Sequence, residues 1–326
     1  MRVYFTVDTE TSMGGAWRNP EWKPLPLDVT VFGQIGSQRY GIPLLMDIFE
    51  EYGFRGTFFV EVFCSYLQGK EPVASVLEMV QKRGHDAQLH LHPVQRFYRD
   101  FQAGQPRREV DLMFKLSSDE QNDLIGEGVR LFRELCGVAP TAYRAGCYGA
   151  SETTLKALRQ NGILIDSSYN VAHLGGSCGF QTPGLNAPLM MEGMHEFPVT
   201  VFQSPWTKGY KTLEIGAVSV SEILATLESL QSAGCQDAVL SLHSFSLLKN
   251  TGVRYENARP DRIVIERLRR LCAALARMKD QYEVQVMGES DFAATSFKQP
   301  QVIPSVGWVR PPIRKFVQAA NRLSWV

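Results

Sequence analysis

Seven short apolar runs separated by amphipathic helical stretches constrain this chain more than any other feature. The runs cover residues 3–7, 56–60, 86–90, 141–145, 163–165, 237–242 and 282–286. The stretch 37–52 puts Leu44, Leu45, Ile48 and Phe49 on one helical face and stops at Gly53. Ser117 with Glu120, and Ser219 with Glu222, are capping boxes that open two further helices. Residues 260–278 read as a long helix, whereas 93–116 read as a loop and 167–213 as irregular. Strand–helix repeats of this length predict an α/β fold with parallel strands, here a distorted parallel (β/α) barrel of about seven strands. The barrel is expected over residues 1–290, with 291–326 as a separate tail.

In such folds chemistry collects at the carboxyl ends of the strands. Asp8, Glu10, His90, His92, Arg144, Asp166 and His243 all fall at or just past the ends of the apolar runs. His90 and His92 are two residues apart, so an extended backbone points both imidazoles to one face. Asp8 and Glu10 have the same spacing. Two imidazoles and a carboxylate are the makings of a divalent metal site, and the donor set suits Zn²⁺.

Composition narrows the partners. Lys+Arg and Asp+Glu are equal at 34 each, so no nucleic acid is expected. No apolar run nears the ~18 residues of a membrane helix, so no transmembrane segment is expected. The sequence enters its first strand without a basic, then apolar, leader, and its six cysteines are scattered. Reduced thiols and a cytoplasmic location are the expectation.

The motifs resemble those of the polysaccharide deacetylases, the NodB-homology group or carbohydrate esterase family 4. Thr6-Val7-Asp8-Thr9-Glu10 is similar to the first motif, Gly56-Thr57-Phe58-Phe59-Val60 to the second strand, and Gly84-His85-Asp86-Ala87-Gln88-Leu89-His90 to the histidine motif. Tyr143-Arg144-Ala145-Gly146-Cys147-Tyr148-Gly149, Ile165-Asp166-Ser167-Ser168 and Leu240-Ser241-Leu242-His243 follow in the same order as in that group. Three departures stand out, the first being Thr9 where the usual Asp-Asp pair has its second Asp. The position four residues after His90 is Val94, so His92 is the nearest second histidine, and Ala145 and Gly146 occupy places where proline is common.

The resemblance implies a metal-dependent carbohydrate deacetylase, a hydrolase that removes an acetyl group from an N-acetylated sugar. The pathway would be assembly of cell-surface polysaccharide or lipopolysaccharide, with a glycan precursor as partner. His90 and His92 would be metal ligands together with one carboxylate, Glu10 in preference to Asp8. Asp8 would be the general base, held by a bidentate pair with Arg144, and His243 the acid that protonates the leaving amine. Asp166 would orient His243, and the Tyr148 backbone N–H would face the oxyanion. Hydrolysis of a non-sugar cyclic amide and non-catalytic glycan binding are the alternatives. In the tail, residues 292–326 lack Asp and Glu and carry Lys298, Arg310, Arg314, Lys315 and Arg322. Ile313, Phe316, Val317, Ala320 and Leu323 would share one helical face, by which 311–326 would pack back on its own domain or, as the alternative, make a peripheral contact with an anionic membrane.

Overall fold

A computed structural model describes residues 1–19, 21–204, 209–290 and 298–306. Its centre is a nine-stranded sheet. The parallel strands are β1 (Arg2–Thr9), β2 (Thr57–Glu61), β3 (Asp86–Leu91), β4 (Ala142–Ala145) and β5 (Ile165–Asp166). A hairpin of β6 (Leu189–Met191) and β7 (Met194–Glu196) extends this edge, with β7 parallel to β5. On the other side β8 (Asp237–His243) and β9 (Glu283–Gln285) both pair in parallel with β1. The sheet curls until its two edges approach: Thr200 N–H donates to the Val239 carbonyl (3.1 Å) and Ser241 N–H to the Leu213 carbonyl (3.0 Å). The result is the distorted, mostly parallel barrel that the alternation implied.

Helices cover the convex face: α1 (Ile42–Glu51), α2 (Lys70–Lys82), α3 (Pro93–Gln102), α4 (Ser118–Cys136), α5 (Glu152–Gln160), α6 (Val220–Ser232) and α7 (Arg262–Arg277). Their apolar sides bury Val3, Phe5 and Val7 of β1. The alternate residues face inward, where Tyr4, Phe59, Ala142, Ile165, Phe197, Val199, Val239 and Met287 form a second, smaller apolar cluster. Both capping boxes are formed, at Ser117 and at Ser219.

Four elements differ from the sequence reading. α1 starts at Ile42, because residues 34–35 and 38–39 pair as a tight hairpin around Gly36, whose φ is +59°. α3 lies in the expected loop; His92 is its extended cap, Pro93 occupies the first turn, and Val94, Phe97 and Tyr98 form its buried face. The β6–β7 hairpin lies inside the stretch read as irregular, and its strands are too short to show a period. Residues 298–306 pack on the barrel instead of leaving it at 290: Gln299 donates to Asp237 (2.6 Å), Gln301 to the Ala187 carbonyl (3.0 Å), and Val306 is buried. The amphipathic stretch 311–326 lies outside the described residues.

Candidate metal centre

Parallel register lines up the functional side chains in one layer. Asp8 is opposite His243, Glu61 opposite His90, and His90 opposite Arg144. Glu10 follows the end of β1 and projects into this layer. Its Oε2 lies 3.0 Å from His90 Nε2 and 2.5 Å from His92 Nε2. Each imidazole has its other nitrogen committed. His90 Nδ1 is 2.8 Å from the Arg144 carbonyl, which can only accept, so that nitrogen carries the proton. His92 Nδ1 meets both oxygens of Asp111, at 2.8 and 3.0 Å. With Nδ1–H donating on both rings, both Nε2 lone pairs are free for a cation beside Glu10.

The electrostatics ask for one. Burial pushes the Glu10 carboxyl up, but His92 and His90 outweigh it and hold the group well below the usual carboxylate range. Burial pushes the His92 ring down, yet Asp111 and Glu10 raise it well above an ordinary imidazole. Two carboxylates around one ring require a positive charge, from a proton or from a bound cation. Glu10, His90 and His92 form one of two His/Cys/Asp/Glu groups with metal-ligand proximity among the described residues. The other, His92, Asp111 and Cys147, shares His92 through the nitrogen that serves Asp111.

Asp8 stands apart from this donor set and touches Arg144. The guanidinium is fully buried and donates from one nitrogen to both Asp8 Oδ1 and Thr6 Oγ1, each at 2.8 Å. Its other two nitrogens go to Ser167, one to the carbonyl and one to Oγ, again at 2.8 Å each. The pair is therefore single-point, not bidentate as the sequence reading had it: Ser167 occupies the rest of the fork.

Asp166 is a second correction. It is the register partner of Tyr143, one residue before Arg144, so it points to the opposite face of the sheet from the site. There it accepts from Ser168 Oγ at 2.6 Å and meets Glu196. The carboxylate beside His243 is Glu214, with Oε1 3.8 Å from His243 Nδ1. The His243 ring also stacks on Phe245, at 5.0 Å between centroids. Tyr148 sends its hydroxyl to Ser241 Oγ (2.9 Å), and burial pushes that phenol well up. Cys147 and Tyr148 are consecutive non-glycine residues with left-handed backbone (φ 55° and 59°), a strained turn at the mouth of the barrel.

Asp111, Ser167 and Glu214 are the site residues that sequence reasoning missed. Asp111 and Glu214 sit outside the long parallel strands, where no period marks a side chain's direction. Ser167 is the residue after Asp166, and the strand before it is too short for its sequence to show which of the two faces inward.

No family model and no curated protein matches this sequence. Solved structures do match. A polysaccharide deacetylase so described from Mycobacterium smegmatis aligns over 98% of this chain and 90% of its own, with 17% identity and a TM-score of 0.53. A 4-alpha-glucanotransferase from Thermococcus litoralis aligns over 89% of this chain and 40% of its own, with 16% identity and a TM-score of 0.52. A family 4 carbohydrate esterase from Streptomyces lividans aligns over 86% of this chain and 90% of its own, at 11% identity and a TM-score of 0.42. This chain has the fold of the polysaccharide deacetylases. The same fold carries a transferase, so the reaction has to be argued from the site.

Proposed function

We propose that this protein is a metal-dependent hydrolase that removes the acetyl group from an N-acetylated sugar. The observation that supports this most is one layer of side chains holding three separate chemistries: a Glu-His-His donor set, a carboxylate clamped by a buried arginine, and a second histidine across the register from that carboxylate. Glu10, His90 and His92 would hold the cation, most fittingly Zn²⁺. When bound, it supplies a Lewis acid that acidifies water and draws charge from an amide carbonyl. Asp8, fixed by Arg144, takes a proton from the attacking water. His243, opposite Asp8 and beside Glu214, gives a proton to the departing amine nitrogen, which is a poor leaving group as an anion. The Tyr148 backbone N–H faces the developing oxyanion.

The substrate we infer is a glycan precursor in the assembly of cell-surface polysaccharide or lipopolysaccharide. Among the described residues no helix is long and apolar enough to cross a membrane. The test is acetate release by the Zn²⁺-loaded protein from N-acetylglucosamine oligomers and lipid-linked N-acetyl sugars. Activity should vanish on chelation and return with Zn²⁺. Loaded protein that releases no acetate from any of these would overturn the assignment.

A further inference from the structure

His92 is the least ordinary member of the donor set, because it sits at the boundary between β3 and α3 instead of within a strand. The backbone there is extended (φ −110°, ψ 100°) and turns into the helix at Pro93. Something outside its own element has to hold the ring. Two residues outside that element meet the ring. Asp111 takes Nδ1 with both carboxylate oxygens and also accepts from Val94 N–H (3.4 Å). Gly146 presents its bare backbone to the ring. A Cβ built at Gly146 would lie 2.5 Å from His92 Nδ1, 2.6 Å from Cε1 and 2.7 Å from Cγ. Carbon needs about 3.5 Å from such atoms. Gly146 is not among the glycines with positive φ, so its backbone does not require glycine. The absence of a side chain serves the neighbour.

We infer that Gly146 and Asp111 are the positioning residues that make His92 a metal ligand, Gly146 by leaving the space for the ring and Asp111 by fixing its tautomer and direction. This rests on the metal-site reading above and names the parts of the chain that the short His-x-His spacing depends on. The geometry explains why the requirement is strict. Restoring an ordinary contact means moving the ring by about 1 Å, whereas metal–ligand distances tolerate about 0.2 Å. The displaced ring also loses Asp111. Gly146 is followed by the left-handed pair Cys147 and Tyr148, so the turn has little freedom to retreat instead.

The experiment is calorimetric titration of the full chain with Zn²⁺, together with the visible spectrum of the Co²⁺-substituted protein. The variants are His92→Ala, Gly146→Ala and Asp111→Asn, with circular dichroism as the check on folding. Asp111→Asn keeps the shape of the loop and should weaken Zn²⁺ about 10- to 100-fold. Gly146→Ala should approach the loss seen for His92→Ala, and its Co²⁺ spectrum should shift toward that of His92→Ala. A purely structural role would leave that spectrum unchanged. If wild type binds Zn²⁺, His92→Ala does not, and both other variants match wild type in affinity and spectrum, this inference is overturned while the metal site stands. If wild type and His92→Ala bind alike, or neither binds, the metal-site reading fails and takes this inference with it.

Discussion

The buried carboxyl pair behind the barrel makes a prediction whose size follows from its geometry. Asp166 and Glu196 are both fully buried. Glu196 Oε1 accepts from Tyr169 N–H at 3.0 Å. Among the described residues its Oε2 has no hydrogen-bond donor, and the group the side chain meets is the Asp166 carboxyl. A proton on Glu196 converts that repulsion into a hydrogen bond. Burial, then Asp166, raises Glu196 well above the usual range, and burial raises Asp166 as well. The folded pair therefore holds a proton to higher pH than an ordinary carboxyl does. In the unfolded chain Glu196 loses its proton near pH ~4.3. The folded form then binds the extra proton, so the pair's contribution to stability is complete below that pH and declines as pH rises toward the folded value. The slope is about 1.4 kcal/mol per pH unit while the folded pair stays protonated. Glu196→Gln removes the decline. The amide N–H donates to Asp166, its oxygen keeps Tyr169, and there is no proton to lose. Urea unfolding of wild type and variant should give stabilities that agree near pH ~4 and diverge above it in favour of the variant. For a chain of 326 residues each pH unit of that divergence corresponds to roughly 2 °C in melting temperature. Parallel stability curves from pH ~4 to ~7 would refute the shared proton.

Three further outcomes separate the roles of the inward-facing residues. Asp8→Asn should lower acetate release about 10²- to 10⁴-fold while Zn²⁺ affinity by titration stays near wild type, since Asp8 lies outside the donor set. Arg144→Met takes the fully buried cation from a buried carboxylate and removes four hydrogen bonds, and should cost about 3–5 kcal/mol in urea unfolding; a loss below about 1 kcal/mol would mark the pair as solvent-screened. Glu214→Gln should reduce kcat with little change in KM, whereas Asp166→Asn should leave kcat unchanged, a contrast that steady-state kinetics resolves directly.

How far the sequence could be read depended on whether a residue sat in a long parallel strand. β1, β3 and β8 show enough of their two-residue period to place a side chain on a face. That is why Asp8, Glu10, His90, His92 and His243 could be grouped before any geometry was known, and why they occupy one layer. β5 is two residues long, so the run 163–165 revealed a strand without revealing its face. Position at a strand end then suggested Asp166 for the site, and only the register with Tyr143 shows that Ser167 is the inward residue. Asp111 illustrates a different limit. It reaches His92 from beyond α3, from a stretch with no regular period, and its role comes from a contact 19 residues away in the chain. Residues 93–116 read as one loop, so the helix α3 that carries the chain past His92 towards Asp111 was itself hidden, although proline in its first turn is a favoured start. Gly146 combines both limits: in sequence it is one more glycine after a strand, and its meaning appears only when the His92 ring fills the space where its side chain would be. The proposed donor residues were therefore legible because they lie on or just past strands with a two-residue period, and the residues proposed to aim them were not because they act through space alone.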